Sequence, residues 1–443
     1  MSQIRDIFRK DVVGWSLYDF ANTIYSMNIL SLYLKRWIVE DLGREGLYYD
    51  IAFSGSMLLT GILMPALGAI SDHSGKKKLF LFLFTLFCCL STGVLPLIPL
   101  SAFVLLLVLF AVSNFFYEGG MVFYNSLLYS VAEGERARLI SGVGVAWGYL
   151  GSIVGMILVL PAVTGAVFGL KIPGIDGYGK AGAFLPTAVF FFLFSIPLFL
   201  WVKEQESLIK RGSIRIKKAY QEVWQGIKET GKYPGVMRFI VADYFFEDAV
   251  ATVILNIGIF SSLVLGFSDA DLTIFLIIST LSAMAGSFLI GRLSQGRSLK
   301  RMMSLIIWGW LLTLGLFVVV ENLVVIYLLG SALGIFLGGL WTVSRPLLAE
   351  RVPREELGRF FGLYSLSGRA AAVLGPIIWG VTVYIFSPER TAGKALSAIF
   401  NLNGAKAAKL PYRCAVISLM IMMGIGLIIL RRLPERNQAL HDK

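Results

Sequence analysis

The chain has 443 residues, 56% of them hydrophobic and only 15% charged. That excludes an ordinary soluble globule, in which about 25% of residues are charged. The net charge of +12 does not indicate nucleic-acid binding, because most of the basic residues sit in short segments between apolar runs, as in the cytoplasmic loops of a membrane protein.

Crossing ~30 Å of hydrocarbon takes about 20 apolar residues in a helix. Runs of this kind predict twelve transmembrane helices, at residues 12–34, 51–71, 79–98, 101–131, 139–163, 182–202, 236–265, 272–291, 302–320, 323–349, 360–386 and 412–430. The continuous run from Leu79 to Leu90 contradicts the strict alternation of a membrane barrel. The predicted class is therefore an all-α polytopic membrane protein. Along the chain, the first span carries Asp19, Asn22 and Ser26 as one stripe, and the fourth carries Asn114, Glu118 and Asn125 on one face. Asp243 and Glu247 follow one turn apart in the seventh span, with Asp248 beside them; Asp243 is expected at the interface just after the preceding linker. Trp341 and Arg345 lie on the tenth span and Arg369 on the eleventh, while the other spans are read as free of interior charge. A charge at bilayer depth costs at least ~2.5 kcal/mol, so such residues mark a water-filled path, a partner or a ligand.

Cys88, Cys89 and Cys414 all fall in predicted spans and form neither a disulfide framework nor a metal-ligand spacing. The histidines, His73 and His441, lie outside the apolar segments. No enzyme activity, metal or other cofactor is expected. The first apolar run lacks a small-residue cleavage site and reads as a span, not as a signal peptide.

An internal repeat organises the chain. Gly68, Ser71, Lys77 and Lys78 recur 223 positions later as Gly291, Ser294, Lys300 and Arg301, and Leu127, Leu128, Gly142, Gly148 and Gly155 recur 220 positions later as Leu347, Leu348, Gly362, Gly368 and Gly375. Two motifs in one order at nearly one offset predict two parallel six-helix halves, residues 1–202 and 236–443, joined by a linker at 203–235. In the linker, Ile214, Ile216, Tyr220, Val223, Trp224 and Ile227 interleave with Arg215, Lys217, Lys218 and Lys228. This predicts an amphipathic helix, lying on the membrane surface or solvated beside it. Lys76 to Lys78, the basic linker, Arg292 to Arg301 and Arg431 with Arg432 put both termini in the cytoplasm, and a plasma-membrane location is expected. The segment from Ser387 to Pro411 would then be external, although it carries Arg390, Lys394, Lys406 and Lys409.

With two parallel halves and the pattern GxxxDxxGKKK after the second span, the chain resembles the major facilitator superfamily. The resemblance implies that Gly68, Asp72, Gly75, Lys76 and Lys77 form a cytoplasmic gate motif, with His73 standing where the family usually has arginine. It also implies that the first, fourth, seventh and tenth spans line a central cavity; four of the five charged spans are these. A narrower resemblance rests on GWSLYDFAN (14–22), VFYNSLL (122–128), ISGVGVAWGYLGS (140–152), DYFFEDAVATVILNI (243–257), SRPLLAERVP (344–353) and FFGLYS (360–365). These segments look like the vacuole-effluxer-like branch, whose fungal members are associated with moving amino acids out of the vacuole.

Within that frame Glu118 is the first candidate for a coupled proton, Glu247 the second and Asp248 the third. Arg345 and Arg369 stay charged and would pair with a carboxylate or hold an anionic group of the cargo. Asp19 and Arg345 are read either as ligand contacts or as members of structural ion pairs. Gly334 and Gly338, the repeat counterparts of Asn114 and Glu118, are expected to leave room for a ligand. The expected function is secondary transport of a small polar solute by alternating access, with protons as one choice of coupling ion. The expected partners are the bilayer and the solute, no nucleic acid, and no second subunit. An exporter of drug- or lipid-like amphiphiles, favoured by the 32 Phe residues, and a non-transporting sensor remain as alternatives.

Overall fold

Uninterrupted apolar runs fold as helices because in lipid every backbone N–H and C=O must find a partner within the chain. The computed structural model describes residues 8–74, 76–132, 134–174, 176–204, 216–233, 235–352 and 357–434, and nearly all of them are helical. Contacts divide the chain into two compact units, Met1–Arg44 with Gly55–Gln221 and Glu45–Ser54 with Glu222–Lys443.

The first unit contains α1 (Lys10–Tyr25), most of α2 (Gly46–Ser74), α3 (Lys77–Val94), α4 (Phe103–Val131), α5 (Gly134–Thr164) and α6 (Phe184–Trp201). Between α5 and α6 a minimal antiparallel hairpin pairs β1 (Ala166–Val167) with β2 (Leu170–Lys171). Its two loop residues, Phe168 at φ 47 and Gly169 at φ 86, are both left-handed, as a type I′ hairpin requires. Helix α7 (Ile216–Glu229) contains the boundary between the units. The second unit continues with α8 (Val236–Phe260), α9 (Asp269–Ser294), α10 (Leu299–Val319), α11 (Leu323–Ala349), α12 (Leu357–Ala370), α13 (Leu374–Ile385), α14 (Thr391–Ile399) and α15 (Ala405–Arg431).

Among the described residues ten helices are long and apolar enough to cross a bilayer. The first and eleventh predicted spans have a different form. The first does not stop at residue 34: α1 continues through π-helical winding at Ser26–Tyr33 and Trp37–Asp41. Lys35 and Arg36, which read as loop residues, are only 4% exposed. Arg36 pairs with Glu40 one turn on, at 3.1 Å, and Lys180 bridges Glu40 at 3.0 Å and Asp41 at 2.6 Å. The eleventh span is broken at residues 371–373 into α12 and α13. The predicted loop 387–411 holds α14 and the first turns of α15. The second span also differs from expectation, because α2 starts at Gly46 and so includes Asp50, which is fully buried.

Within each unit glycine sets how closely helices cross. A Cβ on Gly151 of α5 would lie 2.2 Å from the Phe20 carbonyl oxygen of α1. One on Gly334 of α11 would lie 2.1 Å from that of Ser279 in α9. Helix ends are closed by side chains. Ser268 and Asp271 form a capping box at the start of α9. Glu204 accepts the amide of Lys77 and, at 3.3 Å, that of Lys78, capping α3.

Candidate functional site

In the first unit the polar side chains of α1 and α4 meet within an aromatic stack. Trp15 and Tyr18 both stack on Tyr124, at 4.7 and 4.9 Å between ring centroids. The Tyr18 hydroxyl bonds Thr85 at 2.8 Å. Half-buried Asp19 faces the Tyr124 hydroxyl, which is buried and sits outside hydrogen-bond geometry. Gly144 of α5 leaves Asp19 its space, since a Cβ there would lie 2.8 Å from Asp19 Oδ2. Next along α1, Asn22 and Ser26 adjoin Tyr117, which stacks on Tyr25 at 4.5 Å. Glu118 is half-buried beside Tyr117.

The predicted face of α4 divides by depth. Asn114 is buried and donates to Ser56 of α2 at 2.8 Å, so it ties two helices together, whereas Asn125 is exposed. Trp147 packs edge-on against Phe20.

In the second unit α8, α11 and α12 converge on two carboxylates. Asp243 is 3% exposed. The hydroxyls of Ser344 and Tyr364 flank it, and its Oδ1 accepts no hydrogen bond. One turn on, Glu247 accepts the Trp341 indole N–H at 3.2 Å and lies within electrostatic reach of Arg345. Arg345 and Trp341 are exposed. Among the described residues neither Asp19 nor Arg345 belongs to an ion pair.

Asp248 does different work. Its two carboxylate oxygens each accept the Gly375 amide at 2.9 Å. It therefore caps the second half of the broken span from another helix, where the helix dipole favours an anion. Gly375 is needed there, because a Cβ would fall 2.1 Å from Thr252 Oγ1 and 2.7 Å from Asp248 Oδ1.

Gly334 and Gly338 do not open a ligand space. Each is pressed on α9, where an added Cβ would lie 2.1 Å from a carbonyl oxygen, of Ser279 and Ala283 respectively. The side chains of Asp72 and Arg369, and all of Gly75, lie outside the described residues. Gly68 has open space around it, and Lys76 is exposed. Basic residues of the repeated motif hold the chain just past α6 and α15: Lys78 donates to the Val202 carbonyl at 2.7 Å and Lys300 to that of Leu433 at 2.6 Å. Sequence reasoning missed Tyr124, Ser344 and Tyr364 as neighbours of the carboxylates. The repeat offset could have found them, since Tyr124 and Gly144 map onto Ser344 and Tyr364 at 220 positions.

Comparison with known proteins agrees with this architecture. An uncharacterized MFS-type transporter of Bacillus subtilis, YxiO, is 27% identical over 439 residues, covering 98% of this chain and 96% of its own. Autophagy-related protein 22 of Eremothecium gossypii is 22% identical, over 84% of this chain and 85% of its own. Among solved structures, a bacterial homolog of the human lysosomal transporter Spinster, inward-facing and unoccupied, superposes with a TM-score of 0.72 at 13% identity, covering 97% and 96% of the two chains. The nucleoside transporter NupG does so with a TM-score of 0.69 at 13% identity, covering 96% and 100%. The fold is that of the major facilitator transporters. The family model described as "Vacuole effluxer Atg22 like" matches residues 48–392, and the chain belongs to that family.

Proposed function

We propose that this transporter carries a small polar solute, zwitterionic or anionic and amino-acid-like, by alternating access driven by a proton gradient. One observation carries the reading. Glu247, the Trp341 indole and the exposed Arg345 guanidinium lie together on α8 and α11. A carboxylate and a guanidinium beside an exposed ring complement the ammonium, carboxylate and side chain of an amino acid. The family model that matches is described as a vacuole effluxer, which supports solute transport. The charge distribution favours both termini in the cytoplasm; the proposed protein works in the plasma membrane as a monomer with six-helix halves at 1–202 and 236–443. Asp72, with Gly75, Lys76 and Lys77, would act as the gate, so Asp72→Asn should slow flux without loss of folded protein.

The test is uptake of labelled glutamate, leucine and lysine into proteoliposomes with and without a pH gradient. Glutamate or leucine should accumulate when the gradient is imposed. Preference for lysine or for a lipophilic cation would sink the cargo assignment, and binding without flux would make the protein a sensor.

A further inference from the structure

Asp243 and Glu247 lie one helical turn apart on α8, and among the described residues neither has an ion-pair partner. Asp243 is 3% exposed and its Oδ1 accepts no hydrogen bond. Glu247 accepts one, from Trp341 at 3.2 Å. The groups that face the pair from neighbouring helices are the Ser344 hydroxyl and Arg345 of α11 and the Tyr364 hydroxyl of α12. Helix α15 packs on this stretch of α8 through Gly426, against Phe246. Asp248, on the same helix, is engaged by the Gly375 amide. Two carboxylates at this spacing repel each other, and Asp243 has lost nearly all its hydration, so keeping both ionised is unfavourable. One proton relieves both costs. The unbonded Oδ1 of Asp243 is the atom open to receive it, and the single donor to Glu247 orients that carboxylate toward α11.

We propose that Asp243 and Glu247 form a proton-binding pair, with Trp341 as its positioning residue, and that this pair, not Glu118, carries the coupling proton. The coupling role rests on the transport reading above; the proton site does not. The indole N–H of Trp341 donates to Glu247, so the site contains its own optical reporter.

Intrinsic fluorescence of the purified full-length protein is titrated across neutral pH. A pH-dependent component should be present in the wild type, lost in Trp341→Phe and Glu247→Gln, displaced along the pH axis in Asp243→Asn, and retained in Glu118→Gln. In parallel, the infrared band of protonated carboxyl groups should lose its pH-dependent part in Asp243→Asn and Glu247→Gln, a readout that needs no tryptophan. The proposal is overturned if the fluorescence response survives Glu247→Gln, vanishes in Glu118→Gln, or is produced by sodium at constant pH. If the titration is intact but no labelled glutamate, leucine or lysine crosses a proteoliposome membrane, the coupling role falls and the proton site stands.

Discussion

The two units build one local arrangement from different residues. Asp19 on α1 and Asp243 on α8 are 224 positions apart, and their neighbours on the next helices are repeat partners at 220. In the first unit Asp19 faces Tyr124 of α4 while Gly144 of α5 clears the space. In the second, Asp243 faces Tyr364 of α12 and the small Ser344 stands on α11. The tyrosine has changed helix and the carboxylate–phenol contact has been kept, so the contact itself is what the repeat preserves. One turn further the units diverge. Thr23 donates to the Gly148 carbonyl at 2.7 Å and ties α1 to α5, whereas its counterpart Glu247 faces Trp341 and Arg345. The first unit uses its polar group for helix packing; the second keeps a charge available.

The same division recurs at the helix breaks and crossings. Ile24 packs against Gly155 of unbroken α5, and its counterpart Asp248 caps the amide exposed where the α12–α13 span is broken. Placing aspartate at Ile24 should therefore cost about 3 kcal/mol or more, because no free amide awaits the buried charge. The reverse change, Asp248→Ile, should cost less, about 1–3 kcal/mol for the uncapped amide. Thermal unfolding midpoints in detergent would rank the two, and equal losses would break the comparison.

Asn114 reaches Ser56 through a hydrogen bond, while its counterpart Gly334 touches the equivalent Ser279 directly. Gly334→Asn should overpack this crossing by about 2–3 kcal/mol. Asn114→Gly, by contrast, should lose about 1–2 kcal/mol of bonding and helix propensity. The yield of monodisperse folded protein reads this pair, and a well-folded Gly334→Asn would show that α9 and α11 are less tightly fixed than drawn.

The exposed cation sharpens the contrast at the functional level. Arg345 has neutral Asn125 as its counterpart. Arg345→Lys should raise the half-saturating concentration for glutamate about tenfold, equivalent to ~1.4 kcal/mol, with insertion and unfolding temperature unchanged. Asn125→Ala should alter it far less. Normal glutamate transport by the lysine variant would make Arg345 a structural residue. The smallest effect is expected from the tyrosines: Tyr364→Phe should change stability by about 1 kcal/mol, and Tyr124→Phe by less, because its hydroxyl makes no hydrogen bond. Only Tyr364→Phe should also alter the pH profile of transport.

The spans were legible because lipid permits so few solutions, and the repeat was legible in part because Gly155 and Gly375 are crowded, an added Cβ lying 2.8 Å from Ile24 and 2.1 Å from Thr252, whereas Gly142 and Gly368 have open space around them. The continuation of α1 was not. Arg36, Glu40 and Asp41 look like loop residues one at a time, and the pairing of the two carboxylates with Arg36 and Lys180 lets a helix carry them. The break at 371–373 had a signal in Pro376, which cannot donate to residue 372 and fits without cost only in a helix's first turn. Pro65, Pro161, Pro197, Pro346 and Pro411 all sit inside helices that do continue, so proline alone could not decide it. What distinguishes Pro376 is a carboxylate on another helix. At the candidate site, charge position was legible but partners were not, since Gly334 and Gly338 occupy expected ligand-facing positions yet are consumed by packing.

The bond between Asp248 and Gly375 has one side-chain partner and one main-chain partner. Any residue except proline supplies the same amide at 375, and the crowding there already restricts that position to glycine. The size limit at 375 is set by Thr252 and by Asp248 itself, whose Oγ1 and Oδ1 would lie 2.1 and 2.7 Å from an added Cβ. Charge at 248 and size at 375 are therefore one constraint, and relatives that lose the carboxylate should be the ones free to carry a larger residue where the fastening of α13 to α8 now demands glycine.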